Sequence, residues 1–266
     1  RRVYVEVIIL SAKKINRRNF IKKSALVGAS TAFLSSRKLG ASQKTSNLRL
    51  GIIGTGLRGQ WISNLCLKRR DVDIKAICDI DSGMINNTLN IIKKAGGKPP
   101  DVYKNGQHDF LNLLQRDDLD AVYIATPWEW HHPMAVEAMK QGMHVGVECP
   151  AALKVSELWD LVNTSEKTNK HCMLMENVCY RRDMMAVLNM VRKGLFGELL
   201  HCQGGYQHDL RDVKFNNGRQ PYGGGVEFNN KGFSDAKWRT QHSVDRNGHL
   251  YPTHGVGPIS AMLNIN

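Results

Sequence analysis

The residues with the clearest chemical meaning form a glycine-rich run, GTGLRG, at positions 54–59. The run follows an apolar stretch, residues 48–53, that predicts a buried strand, and it opens a helical pattern. In that context the first glycine makes a tight turn, the second lets the backbone approach a pyrophosphate, and the third lets helix and strand pack closely. Free N–H groups at the start of the helix can then hold phosphates. We therefore expect a dinucleotide site at Gly54, Gly56 and Gly59.

An acidic residue stands where such a site needs one. A second predicted strand, residues 74–78, ends at Asp79, twenty residues after Gly59. A carboxylate there accepts hydrogen bonds from ribose hydroxyls and repels a 2′-phosphate, so the sequence favours NAD over NADP. The alternative is a glycine turn followed by an acid at this spacing by chance.

The next elements must bring further polar residues to the same edge. Helical and strand patterns alternate, with strands at 119–125, 144–147 and 172–175 and helices at 84–95, 110–115, 133–141 and 156–168. This alternation predicts an α/β fold with a doubly wound parallel sheet, whose ligands lie at the carboxyl ends of the strands. Those ends carry TPWEWHH at 126–132, ECP at 148–150, and Glu176 with Asn177.

These motifs, together with ENVCYRRD at 176–183, resemble the Gfo/Idh/MocA oxidoreductase superfamily, in which a Rossmann domain precedes an open-sheet substrate domain. The later blocks GGYQHDLR at 204–211, AKWRT at 236–240 and HSVDRNGHLYPTHGVGP at 242–258 are similar to glycoside hydrolase family 109, the NAD-dependent α-N-acetylgalactosaminidases. The resemblance implies a Rossmann domain over 45–178 and part of an α+β open-sheet substrate domain over 179–266. It also implies a glycan substrate with a terminal N-acetylgalactosamine.

The resemblance implies an unusual hydrolysis, a recognised exception to the two-carboxylate scheme of most glycosidases. NAD⁺ takes a hydride from C3 of the sugar, the acidified C2 proton is removed, the glycosidic oxygen leaves, water adds, and the hydride returns. Sugar dehydrogenases of the superfamily usually have Glu-Lys-Pro where this chain has Glu148-Cys149-Pro150. A thiol cannot replace that ammonium, which argues against a simple dehydrogenase.

The resemblance also implies the site residues. His254 is the expected acid/base, assisted by Tyr251. Beyond the three glycines, the implied NAD contacts are Leu57, Arg58, Asp79, Trp128, Glu129, Trp130, His131, Glu148, Cys149, Asn177 and Tyr251. The implied substrate contacts are Tyr206, Arg239, Tyr251, Pro252, Thr253 and His254. No metal ligand is expected, and the family has a further substrate-binding tyrosine that would fall beyond position 266.

Several of these residues have structural alternatives. His131 and His132 could cap the helix predicted from Pro133, and the tryptophans Trp128 and Trp130 could belong to the core. His208 and Asp209 could be structural, the run 181–183 is better explained as a salt-bridged surface, and His254 could be a loop histidine.

The net charge of +13 points first to an anionic partner, but most of it lies in residues 1–41, which hold ten Lys and Arg and one acid. Paired Arg17 and Arg18, then Phe20, a weakly apolar run and small residues resemble a twin-arginine export leader over 1–44. We therefore expect the export machinery as a partner and a periplasmic or envelope location. The alternative is a basic amphipathic helix on the surface.

Other function classes find little support. No apolar run reaches the roughly 18 residues of a membrane span. Basic residues do not cluster with stacking aromatics outside the leader, so no nucleic-acid partner is expected. The six cysteines form no CxxC pair that would indicate a zinc site or a disulfide framework. The competing functions are a NAD-dependent sugar oxidoreductase of the same superfamily and an inactive truncated module that binds nucleotide or sugar. The oligomeric state is open, with a homo-oligomer as one option.

Overall fold

A computed structural model describes residues 2–8, 47–207, 209, 238 and 242–265 of the chain. The predicted leader falls almost entirely outside these residues. Among the described residues, no helix is long and apolar enough to cross a membrane.

The larger part of the described chain is built on a parallel sheet of six strands. They are β2 (Leu48–Ile53), β3 (Val72–Cys78), β4 (Asp101–Tyr103), β5 (Ala121–Ile124), β6 (His144–Val147) and β7 (Cys172–Leu174). Their order is β4-β3-β2-β5-β6-β7, and every neighbouring pair is parallel. The order reverses on either side of β2, so β2 and β5 flank the crevice in which such sheets bind ligands.

Helices connect these strands. They are α1 (Leu57–Leu67), α2 (Ser82–Lys94), α3 (Phe110–Leu114), α4 (His131–Lys140) and α5 (Val155–Thr168). The start of α2 is fixed by Asp81, whose side chain accepts hydrogen bonds from the backbone N–H groups of Gly83 and Met84. Short 3₁₀ turns at Trp128–Trp130 and Asn177–Tyr180 follow β5 and β7.

Apolar side chains from the two faces of the sheet form two cores. Ile62 of α1 and Ile85 of α2 pack with Leu50 and Ile52 of β2 on one side. The other core joins α3, α4 and α5 to the opposite face, where Ile53, Val122, Ile124, Val145, Val147, Leu113, Met139 and Leu161 are buried. Alternate residues of one strand thus enter different cores, which buries the sheet on both sides as a parallel sheet requires.

The remaining described residues form a smaller unit. The strands β1 (Arg2–Ile8) and β8 (His201–Gln207) pair antiparallel, and α6 (Arg182–Arg192) and α7 (Pro252–Leu263) lie alongside. Val178, Met184 and Met262 form its buried cluster. The strand at Arg2–Ile8 was not foreseen in the sequence, because it has no local signal beyond a short alternation.

The predicted fold class is confirmed: the strands and helices alternate in a doubly wound parallel sheet, and part of a second domain follows. Most boundaries differ from the sequence patterns by one to three residues. The last helix, α7, ends at Leu263, where Asn264 adopts φ 54°, a left-handed cap that asparagine tolerates.

Candidate active site

The turn after β2 has a geometry that only glycine permits. Gly54 has φ +91°, and a Cβ added there would lie 2.5 Å from the carbonyl oxygen of Ala125 at the end of β5. A Cβ on Gly59 would lie 2.0 Å from the carbonyl oxygen of Gly54. The absence of side chains at these two glycines lets α1 pack closely against β2, so the first N–H groups of α1 face the crevice edge.

Asp79 is fixed at the end of β3 by the neighbouring backbone. Its Oδ2 accepts hydrogen bonds from the N–H of Thr55 at 2.6 Å and from the Thr55 hydroxyl at 3.1 Å. Its Oδ1 accepts from the N–H of Asp81 at 2.9 Å. The carboxylate therefore ties β3 to the glycine-rich turn and has a set orientation before any nucleotide binds.

A cavity of about 620 Å³ opens at this edge of the sheet. It is lined by the backbone of the glycine-rich turn, by the end of β3 and by aromatic residues that follow β4 and β5. The polar and aromatic groups most relevant to a nucleotide are Gly54, Gly56, Asp79, Asp81, Phe110, Thr126, Trp130 and Trp238. A cavity of this size, with a glycine backbone and an oriented carboxylate at one side and rings at the other, fits a dinucleotide.

A half-buried ion pair joins α1 to the end of β6. The guanidinium of Arg58 donates from Nε to Glu148 Oε1 at 2.5 Å, and the hydroxyl of Tyr123 also donates to that oxygen. Burial would lower the pKa of Arg58, but Glu148 outweighs it and raises the pKa above its ordinary value. Burial and the same carboxylate raise the pKa of Tyr123. Arg58 and Glu148, which were both predicted to contact NAD, are thus ion-pair partners of each other.

Trp128 forms the centre of an aromatic wall. It is buried, and its ring lies 4.5 Å from that of His242, 5.3 Å from that of Tyr251 and 6.1 Å from that of Trp238. His242 Nε2 also lies 3.1 Å from a carboxylate oxygen of Glu129. Trp128 is therefore buried and also in contact with Tyr251 of the predicted substrate turn. A place in the core and a place at the site are thus compatible for this residue.

The carboxylate of Glu176, which follows β7, contacts both an imidazole and a thiol. His254 Nδ1 lies 2.7 Å and 2.8 Å from its two carboxylate oxygens. The thiol of Cys149, after β6, donates to Oε2 at 3.2 Å, and the N–H of Val178 donates to Oε1 at 3.0 Å. Glu176 is 5% exposed, so three separate segments of the fold deliver a carboxylate, an imidazole and a thiol to one buried point.

The electrostatics of this group follow from its contacts. Burial by itself would raise the pKa of Glu176, but hydrogen bonds from His254 and Val178 lower it below the ordinary value for a carboxyl. Burial and the adjacent carboxylate raise the pKa of Cys149, which keeps it a thiol. Glu176 is therefore the anion of the site, and it orients His254 as the acid in a catalytic triad orients its histidine.

The YPTH turn lies directly against this group. The ring of Tyr251 stacks on His254 at 5.5 Å with an interplanar angle of 12°, and the ring of Tyr206 meets His254 edge-on at 4.6 Å. Pro252 opens α7, and the Thr253 side chain hydrogen-bonds with the Cys149 thiol. Five of the six predicted substrate contacts are thus brought together: Tyr206, Tyr251, Pro252, Thr253 and His254. Arg239, like His208, lies outside the described residues.

Other predicted residues have mainly structural partners. His131 is 1% exposed, and its ring nitrogens lie 2.6 Å and 2.9 Å from the carbonyl oxygens of Pro150 and Thr126. His132 pairs with Asp160 at 2.9 Å. Neither side chain caps α4, which begins at His131 rather than Pro133, so that alternative was wrong. The roles of Leu57 and Asn177 in cofactor binding stay predictions.

Glu176 is the candidate site residue that sequence reasoning missed. The sequence places it at the carboxyl end of a strand, which was the available signal, but its pairing with His254 joins residues 78 positions apart. His242 and Trp238 also enter the aromatic wall; both lie in blocks that carry the family resemblance, but neither was named as a site residue. The run 181–183 is a surface pair as expected, with Arg181 and Asp183 2.6 Å apart.

Two family models together match nearly all of the chain after residue 47. Residues 48–176 match the oxidoreductase family with an NAD-binding Rossmann fold, and residues 180–266 match the C-terminal domain of glycosyl hydrolase 109. The prediction of an NAD-binding Rossmann domain is thereby confirmed.

Curated relatives agree with this assignment. A glycosyl hydrolase family 109 protein of Stenotrophomonas maltophilia is 48% identical over 256 residues, which are 95% of this chain and 56% of the relative. An α-N-acetylgalactosaminidase of Tannerella forsythia is 48% identical over an alignment 271 residues long, which covers 94% of this chain and 58% of the relative. The chain therefore spans somewhat more than half the length of these two relatives.

Solved structures show the same fold at low identity. A scyllo-inositol dehydrogenase of Lactobacillus casei, solved with NAD(H) and scyllo-inositol, is 20% identical and aligns with a TM-score of 0.51 over 57% of this chain and 43% of its own. A myo-inositol 2-dehydrogenase of Lactobacillus plantarum is 24% identical, with a TM-score of 0.50 over 57% of this chain and 43% of its own. The match to the NAD-binding Rossmann family is thus followed, in one chain, by the match to the C-terminal domain of glycosyl hydrolase 109, and the two relatives named above are 48% identical, so the chain is similar to glycoside hydrolase family 109 in both parts.

Proposed function

We propose that the protein hydrolyses terminal α-linked N-acetylgalactosamine from glycans with the help of bound NAD. The observation that carries the proposal is the contact between His254 and the buried carboxylate of Glu176, beside a domain that matches the NAD-binding family. The relative from Tannerella forsythia is named as an α-N-acetylgalactosaminidase, and it shares 48% of its aligned residues with this chain.

The cofactor would be held by the turn after β2 and by the end of β3. The α1 N-terminus and Gly56 would face the pyrophosphate, and Asp79 would accept from the ribose hydroxyls. Because Asp79 and Asp81 both line the cavity, a 2′-phosphate would meet two carboxylates there. NAD is therefore favoured over NADP.

Bound NAD⁺ supplies a reversible hydride acceptor for C3 of the sugar, and oxidation at C3 acidifies the proton at C2. His254 then has the position and the chemistry to take that proton. Its Nδ1 is engaged by Glu176, so proton exchange with the sugar falls to Nε2. The carboxylate keeps the ring in this tautomer and stabilises the imidazolium that forms when the ring takes a proton.

The remaining residues would bind and shield the sugar. Tyr251 stacks on the His254 ring, Tyr206 meets that ring edge-on, and both tyrosines would contact the sugar. Trp128 closes the site behind Tyr251, which limits access of water to the ring. Cys149 stands where a proton-transferring lysine would serve a dehydrogenase, which favours hydrolysis over net oxidation.

The test is release of p-nitrophenol from its α-N-acetylgalactosaminide by the purified chain, with wild type compared with His254→Ala. We expect release by wild type with NAD⁺ present and a loss of at least about 100-fold in the variant, the usual share of a general acid/base. No release by wild type with added NAD⁺ would refute the glycosidase function for this chain. Release accompanied by an equal amount of free NADH would support the sugar oxidoreductase instead.

We also propose that the basic N-terminal segment directs twin-arginine export to the periplasm or envelope. The paired arginines and the following apolar and small residues support it. A reporter fused behind residues 1–45 should reach the periplasm, and a matched fusion with Arg17→Lys and Arg18→Lys should not. A wild-type fusion that stays in the cytoplasm would contradict the proposal.

A further inference from the structure

The group around Glu176 has a property that hydrolysis does not require. Cys149, Glu176 and His254 each offer one ligand atom, and these three atoms all lie within 4.8 Å of one another. Each residue belongs to a different segment of the fold: the first follows β6, the second follows β7, and the third lies in α7. A sulfur, an oxygen and a nitrogen therefore converge on one small volume, held from three directions.

The spacing of these atoms is close to what a tetrahedral ion needs. Zinc binds sulfur at about 2.3 Å and nitrogen or oxygen at about 2.0–2.2 Å, so ligand atoms around it stand roughly 3.5 Å apart. Here Cys149 Sγ is 3.2 Å from Glu176 Oε2, and His254 Nδ1 is 2.8 Å from the same oxygen. Rotations that separate the atoms by under about 1 Å would admit the ion.

We propose that Cys149, Glu176 and His254 form a binding site for a zinc-like divalent ion. Three protein ligands with a fourth position left to water or substrate is the arrangement of open zinc sites. The mixed sulfur, nitrogen and oxygen set selects Zn²⁺ or Co²⁺ and disfavours Mg²⁺ and Ca²⁺, which take oxygen ligands.

Charge and protons balance in this site. The thiol of Cys149 must lose its proton to solvent, which leaves a thiolate beside the Glu176 carboxylate. The two negative charges offset the 2+ charge of the ion, with a neutral imidazole as the third ligand. One proton is thus released for each ion bound, and no oxidation or reduction takes place.

Binding of the ion would switch off the proposed reaction, and this part of the inference rests on the proposed function. An ion at Nδ1 of His254 displaces the ring proton to Nε2, which then can no longer accept the C2 proton of a sugar. It also takes Oε2 of Glu176, one of the two oxygens that orient the ring. The ion would therefore inhibit by occupying the acid/base pair itself, not by covering the entrance.

The surroundings are compatible with an ion. The N–H of Val178 still supports the second oxygen of Glu176, and the hydroxyl of Thr253 lies beside the sulfur. Hydrogen bonds of this kind to a ligand fix its orientation and raise affinity. The rings of Tyr206 and Tyr251 lie against the imidazole.

The experiment titrates the metal-free full chain with Co²⁺ and follows absorption from sulfur-to-cobalt charge transfer and from the tetrahedral ion. We expect both signals to saturate at one ion per chain and to disappear when Zn²⁺ is added, while Mg²⁺ has no effect. Cys149→Ala should lose the sulfur band and bind at least about 100-fold more weakly, because even loss of a supporting contact costs 10- to 100-fold. Cys172→Ala, which removes another partly buried thiol, should behave as wild type.

Activity is read separately. In a chain that releases p-nitrophenol, saturating Zn²⁺ should reduce the rate at least tenfold, and a chelator should restore it. If cobalt binds through Cys149 but the chain is inactive without metal, the proposed function fails and the metal site stands. If the chain is active but shows no sulfur-to-cobalt band, or if Cys149→Ala and Cys172→Ala bind alike, the metal site is refuted.

Discussion

Glu176→Gln is the substitution that isolates the acid/base pair most cleanly. The glutamine keeps the shape of the side chain and can still accept the N–H of Val178, which lies 3.0 Å from Oε1. It removes the negative charge that faces His254 Nδ1 at 2.7 Å and 2.8 Å, and it replaces Oε2, which accepts from the Cys149 thiol, by an NH₂ donor. The lost charge faces the imidazole, so the effect on the reaction reports mainly the contact between carboxylate and imidazole.

The expected magnitude follows from that contact. A hydrogen bond to a charged group contributes about 1.5–3 kcal/mol. Because about 1.4 kcal/mol is a factor of ten, kcat/KM for the p-nitrophenyl α-N-acetylgalactosaminide should fall by roughly 10- to 150-fold. The affinity for NAD⁺ should stay within about twofold, since the glycine-rich turn and Asp79 are unchanged. Asp160→Asn makes the same kind of change in the exposed pair with His132 and should leave kcat/KM unaltered.

A double substitution tests whether Glu176 works through His254. If the carboxylate only orients and stabilises the imidazole, Glu176→Gln adds nothing once His254→Ala has removed the ring. The double variant should then be as slow as His254→Ala alone. Losses that multiply in the double variant would refute the reasoning and give Glu176 a separate role on the substrate.

Three further predictions concern the cofactor site and the acid limit. Gly54 has φ +91°, and an added Cβ would lie 2.5 Å from the Ala125 oxygen, whereas Gly96 has φ +72° and open space around it. Gly54→Ala should therefore lower the thermal midpoint and the NAD⁺ affinity far more than Gly96→Ala. Equal effects of the two substitutions would contradict the packing argument. In Asp79→Asn the side-chain NH₂ must face the backbone N–H of either Thr55 or Asp81, both of which donate to the wild-type carboxylate. The substitution should therefore lower the free energy of unfolding by about 1–3 kcal/mol in a denaturant titration. An unchanged midpoint would contradict this prediction. Folding lowers the pKa of Glu176, so the charged carboxylate stabilises the folded state above the unfolded pKa of about 4.3, and this stabilisation is lost as the pH falls through the folded pKa. The thermal midpoint of wild type should therefore drop faster on acidification than that of Glu176→Gln. Parallel curves of midpoint against pH would contradict this prediction.

The sheet and the cofactor turn could be predicted from local sequence because their signals are short-range. GTGLRG opens a helix directly after an apolar strand, and Gly54 needs its positive φ within the same turn. The substrate side depends on long-range contacts instead. Glu176 reaches His254 across 78 positions, and Trp128 meets His242 and Tyr251 only after the two units fold together. No periodicity in sequence encodes such meetings, so only the resemblance to a family brought His254 forward.

The most direct test of the account is the fate of the C2 proton during hydrolysis. The chain with NAD⁺ should cleave p-nitrophenyl α-N-acetylgalactosaminide in D₂O, and the released sugar should carry deuterium at C2 while no NADH accumulates. His254→Ala should suppress the release and the exchange together. Released sugar that keeps its original C2 proton would show direct displacement at the anomeric carbon and would contradict proton removal by the pair of His254 and Glu176.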